Sequence, residues 1–133
     1  MTSAYLIDTS ALANHYLGDA GDRFVADCIR KGADVCAITL FEFGIFLRRN
    51  GISDTEASRT WSLYRQTIGH VRTVDEAVTE RALSLRLHAS GRLPLADACI
   101  AACAAHHNLM LVHADAHYAT LPSSVKAIDI RTL

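Results

Sequence analysis

The chain has 133 residues, 50% hydrophobic and 20% charged, which excludes a disordered segment and suits one domain, residues 1–133, able to bury a core without disulfide staples. No apolar run approaches the roughly 18 residues of a membrane span, and no basic segment precedes a long apolar one, so a cytoplasmic protein without membrane contact is expected. The net charge of −1 excludes little about nucleic acid: with four of the 14 acids set aside as metal ligands, 10 face 13 basic residues.

Ala4-Tyr5-Leu6-Ile7 is too short for a helix and runs directly into Asp8, then Thr9 and Ser10. This predicts a buried parallel strand with Asp8 at its C-terminal end. Chemistry in open α/β sheets gathers outside such ends, although Asp is also a turn residue and both hydroxyls are good helix N-caps. A short helix to Gly18 follows, then a second over 19–32 with Phe24, Val25, Cys28 and Ile29 inward. Asp34 to Ile38 reads as a second strand with Thr39 as the next N-cap. The helix from Leu40 to Asn50 is apolar nearly all round, and Glu42 is its only acid. Ser53-Asp54-x-Glu56 resembles a capping box before a helix to Ile68.

Val71 to Val74 is a third strand candidate. Asp75 caps a helix to Ser90, which Gly91 stops. Ala96 to His107 is a helix rich in alanine and cysteine that must pack closely. Leu109 to Val112 is a fourth strand, with His113-Ala114-Asp115 after it, and Val125 to Ile130 is an edge strand by its charges. Strands alternating with helices imply a mostly parallel sheet of four to five strands in a three-layer αβα sandwich, an α/β fold.

Four acids recur at equivalent places. Asp8 and Asp115 follow strands, and Glu42 and Asp97 lie in the early turns of largely apolar helices. Each of the helical acids alone is also explained by the helix dipole, which favours negative charge at the N-terminus. Together they point to one sheet edge, where four carboxylates repel unless cations sit among them. Oxygen donors in that number suit Mg²⁺ or Mn²⁺, the usual platform for metal-assisted phosphodiester cleavage.

Asp8-Thr9-Ser10-Ala11-Leu12, Glu42, Leu95-Ala96-Asp97-Ala98-x-Ile100-Ala101-Ala102 and Leu111-Val112-x-x-Asp115 resemble the PIN domain, most closely the VapC-type ribonuclease toxins of bacterial toxin–antitoxin pairs. The resemblance covers nearly the whole chain. It implies a Mg²⁺- or Mn²⁺-dependent endoribonuclease that cleaves RNA with a metal-activated water, and an antitoxin partner that blocks the site. Asp8, Glu42, Asp97 and Asp115 would be the catalytic, metal-binding quartet, with Ser10 as the supporting hydroxyl. The sequence departs from the family pattern around Asp115, where His113 and Ala114 precede it and Ala116-His117-Tyr118 follow. The two histidines could orient water or take up a proton near neutral pH, or be ordinary loop residues.

Other signals have plainer explanations. Cys99, Cys103 and His106 lie on the side of their helix opposite Asp97, and one straight helix cannot wrap a tetrahedral zinc ion. Cys28, Cys36, Cys99 and Cys103 form no CxxC pair and read as buried packing. Trp61, Tyr64, Arg59 and Arg65 could stack on and hold RNA, yet an amphipathic helix over the core explains them as well. The surplus apolar belt from Leu40 to Leu47 suggests burial against a second chain, in a homodimer or against an antitoxin helix. Two other functions compete. A phosphorylated receiver domain would need a late lysine at the acidic edge, but Lys126 begins a strand at the opposite one. A catalytically silent PIN-like interaction module would lack metal binding.

Overall fold

Short apolar runs supply the sheet: β1 (Tyr5–Ile7), β2 (Val35–Cys36), β3 (Val71–Arg72), β4 (Met110–His113) and β5 (Ala127–Asp129). The structure is a computed structural model and describes residues 3–133. Among the described residues every strand pairing is parallel: β1 with β4, β4 with β5, and β2 with β3. A bridge between Leu6 and Asp34 lays the entry to β2 beside β1. The strands therefore run in the order β3-β2-β1-β4-β5, with β5 at an edge as its charges predict.

Among the described residues six α-helices cover the two faces: α1 (Thr9–Leu17), α2 (Asp22–Arg30), α3 (Ala37–Arg49), α4 (Asp54–Thr67), α5 (Glu76–His88) and α6 (Leu95–His106). Successive strand residues point to opposite faces, so each strand feeds two cores. Leu6 and Leu111 pack with Val78, Leu85, Ile100 and Ala101 of α5 and α6. Their neighbours Ile7 and Val112 pack with Leu12, Val25, Phe43 and Leu47 of α1 to α3 and with Ala57 of α4. This is the three-layer αβα arrangement expected. Among the described residues no helix is long and apolar enough to cross a membrane.

Local details follow the caps. Ser53 accepts from Glu56 N at 3.1 Å, and Asp75 accepts from Val78 N at 2.9 Å. Thr39 is not a cap: β2 ends at Cys36, α3 begins at Ala37, and Thr39 is buried inside its first turn. Two residues of the expected strand are thus helical, which carries Phe43 and Leu47 into the core. Helix α5 ends at His88, ahead of Gly91.

Asp34 is fully buried and ties the β2 edge to β3. Its carboxylate accepts from His70 N and from Arg72 Nε, each at 2.9 Å. Gly69 approaches the preceding loop so closely that a Cβ there would lie 2.4 Å from the Gly32 carbonyl oxygen. That approach lets Gly69 N donate to Ala33 O at 2.9 Å.

Candidate metal centre

The parallel pairing of β1 with β4 brings two chain exits to one edge. Asp8 is the first residue beyond β1, and its N–H donates to Val112 O at 3.0 Å. Its extended backbone makes it the N-cap of α1, with the carboxylate accepting from Ala11 N at 3.2 Å. Thr9 and Ser10 are thereby released from capping. Ser10 Oγ donates to Asp8 Oδ1 at 2.5 Å and accepts from Ala114 N at 2.8 Å, which links the two strand exits. Thr9 Oγ1 donates to Glu42 Oε1 at 2.5 Å, holding the α3 carboxylate toward the same edge.

The third and fourth acids meet beside them. Asp97 lies in the first turn of α6. Asp115, one residue beyond Ala114, is the N-cap of a short 3-10 helix (Ala116–Thr120) and accepts from His117 N at 2.9 Å. That turn sends two consecutive side chains into the site. His117 Nδ1 lies 3.1 Å from Asp115 Oδ1 and 3.4 Å from Asp97 Oδ2. Tyr118 is buried, and its hydroxyl donates to Asp8 Oδ2 at 2.9 Å.

Electrostatics mark these acids as unneutralised. Burial pushes the Asp8 carboxyl up to about 6, with the bonds from Ser10, Tyr118 and Ala11 opposing and repulsion from Asp115 adding. Asp97 is pushed up to about 7 by burial and then by repulsion from Asp115 and Asp8; His117 opposes the rise and Glu42 adds to it. Burial and the nearby carboxylates hold the Tyr118 phenol well above its ordinary value, so it donates as a neutral hydroxyl.

Among the described residues no lysine or arginine forms an ion pair with Asp8, Glu42, Asp97 or Asp115; Arg30, Lys31, Arg48, Arg72 and Arg131 pair with Asp27, Asp34, Asp54 and Asp129 instead. One donor atom from each of Asp97, Asp115 and His117 lies within 4.8 Å of the other two. A divalent cation fits this donor set: the ligands are convergent, excess in negative charge and free of a fixed cation.

The two histidines separate. His113 is buried in β4, where its Nδ1 accepts from Asp115 N at 3.2 Å and its ring packs 4.7 Å from that of Tyr118. Burial lowers its pKa, so it is a neutral support and not a loop substituent. His117 alone of the pair reaches the acids. Thr9 and Tyr118 are the site residues that sequence reasoning missed. Thr9 was visible in the Asp8-Thr9-Ser10 run but read as a cap; nothing local signals that Tyr118 meets a residue 110 positions earlier.

The alternatives resolve toward packing. All four cysteines are free and buried, and Cys103 Sγ lies 3.4 Å from Cys36 Sγ. Trp61 Nε1 donates to Leu40 O at 2.8 Å, and the Tyr64 hydroxyl bonds His15 Nδ1 at 2.7 Å, so both rings are committed to the α1–α3–α4 layer. The surplus apolar belt of α3 is real: Phe41 is 73% exposed beside a groove of about 460 Å³ between α3 and α4.

The PIN domain family model matches residues 5–122. No curated protein matches the sequence. Among solved structures, the DNA-bound VapBC of Salmonella typhimurium superposes with a TM-score of 0.80 at 13% identity, covering 96% of this chain and 98% of that one. FitAcB from Neisseria gonorrhoeae gives 0.76 at 20% identity, over 97% and 99%. A toxin–antitoxin complex from Klebsiella pneumoniae gives 0.70 at 22% identity, over 93% and 95%. At these identities the likeness speaks to the fold.

Proposed function

The chain belongs to the PIN domain family, and from that footing we propose that it is a metal-dependent endoribonuclease, the toxin of a toxin–antitoxin pair. The observation that carries the reading is the meeting of Asp8, Asp97 and Asp115 at one sheet edge with no lysine or arginine paired to them among the described residues. Mg²⁺ or Mn²⁺ bound there would polarise a water for attack on an RNA phosphodiester and stabilise the leaving oxygen. Asp97 and Asp115 would hold the principal ion, with Asp8 completing the set. Glu42, steadied by Thr9, would hold a second ion or orient the attacking water. Ser10 and Tyr118 fix the Asp8 carboxylate, so its oxygens meet the site in one orientation. No side chain serves as nucleophile in this scheme.

The exposed Phe41 and Ile45 of α3 and the adjoining groove would receive an apolar segment of the antitoxin, next to Glu42. The surplus apolar surface is equally what a homodimer would cover.

The test is cleavage of structured and unstructured RNA by the purified protein with Mg²⁺, with Mn²⁺ and with chelator. Cleavage that chelator abolishes and Mn²⁺ restores supports the reading. Cleavage indifferent to chelator, or none with either ion, contradicts it.

A further inference from the structure

We infer that His117 is a direct protein ligand of the metal ion, which makes the centre a mixed nitrogen and oxygen site that favours a first-row transition ion such as Mn²⁺ over Mg²⁺. This rests on the proposed metal dependence and goes beyond it by adding a residue and a metal preference.

Geometry is the first argument. Ligands about 2.0–2.2 Å from a shared ion, at right angles to each other, stand about 3 Å apart. His117 Nδ1 stands 3.1 Å from Asp115 Oδ1 and 3.4 Å from Asp97 Oδ2, the spacing of adjacent positions around one ion. The second argument is backbone: the Asp115 side chain accepts from His117 N, so the turn that sets the carboxylate also sets the imidazole.

Donor chemistry gives the preference. Mg²⁺ takes hard oxygen ligands and keeps its waters, while an imidazole nitrogen adds more to the binding of first-row transition ions. A site in which an imidazole joins the carboxylates therefore discriminates where an all-carboxylate site would not.

The experiment is Mn²⁺ binding to the wild-type protein, His117→Gln and Asp97→Asn, followed by calorimetry and by electron spin-echo envelope modulation of the bound Mn²⁺. Mg²⁺ titrations run in parallel. Wild-type protein is expected to show nitrogen modulation from a coordinated imidazole. In His117→Gln that modulation disappears, Mn²⁺ affinity falls roughly tenfold or more, and Mg²⁺ affinity stays within about twofold. Bound Mn²⁺ without nitrogen modulation in the wild type, or a His117→Gln variant that keeps it, overturns the role of His117 and leaves the proposed function standing. Absence of Mn²⁺ binding by the wild type overturns both. Because His117 is exposed and its side chain packs into neither core, the Gln variant is expected to fold.

Discussion

The Tyr118 hydroxyl donates a 2.9 Å hydrogen bond to Asp8 Oδ2, joining the turn after β4 to the exit of β1 across 110 residues of chain. It is the buried counterpart of the bond from Ser10, and between them both oxygens of a buried carboxylate are held. Tyr118→Phe removes one of these donors and little volume. The fold is expected to survive with a loss of about 1 kcal/mol, and metal affinity to fall roughly tenfold, the scale of a lost outer partner of a metal ligand. Urea unfolding and Mn²⁺ calorimetry on the same variant check the two effects separately.

Asp97 yields a pH signature. Its folded pKa of about 7 lies above the ordinary 3.8, so folding favours the protonated form. Stability from this source is full below about pH 4 and is lost as pH rises through about 7. Asp97→Asn removes the dependence. In the absence of metal, the variant is expected to melt modestly above the wild type at pH 5 and several degrees further above it at pH 8. Added Mn²⁺ then raises the wild-type Tm at pH 8 and leaves that of the variant nearly unchanged. Thermal melts of both proteins over pH 5–8, with and without Mn²⁺, provide the comparison. A gap between them that stays constant with pH contradicts the assignment of Asp97.

Asp34 shows that burial alone does not make an acid functional. It is as buried as Asp8, but Arg72 and His70 N satisfy it and it serves the framework. Asp34→Ala is expected to cost about 3 kcal/mol, since it leaves Arg72 without its partner and frees a backbone donor. Denaturant unfolding measures this, and Mn²⁺ affinity of the folded fraction should match the wild type. Asp8→Asn is expected to do the reverse, leaving the metal-free protein no less stable and its metal binding lost.

The framework was legible wherever one residue type decided the local structure. Ala4 to Ile7 and Leu109 to Val112 are too short and too apolar for anything but buried strands, and Ser53 and Asp75 cap the helices they announce. Asp8 was legible as a carboxylate at the exit of a parallel strand, but its neighbours there fit a capped turn equally well, and it does cap α1; what singled it out was the placement of the other three acids. What escaped depends on partners distant in sequence. Thr9 reads as a cap until Asp8 is seen to take that role, and Thr39 reads as one until α3 begins two residues earlier at Ala37. Asp34 looks like a strand opener until Arg72 arrives from β3. His113 and His117 are alike as letters. Only the 3-10 turn, with His113 still inside β4 and His117 beyond Asp115, makes one a buried support and the other a neighbour of the acids.

The most direct measurement is RNA cleavage by the wild type and by Asp8→Asn in Mn²⁺, with matched circular dichroism and melting curves to establish that both are folded. The expected result is chelator-sensitive cleavage by the wild type and none detectable above background by the folded Asn variant, because the substitution removes the charge while keeping the shape. A folded Asp8→Asn protein that cleaves RNA at the wild-type rate would contradict the carboxylate cluster as the centre of the chemistry.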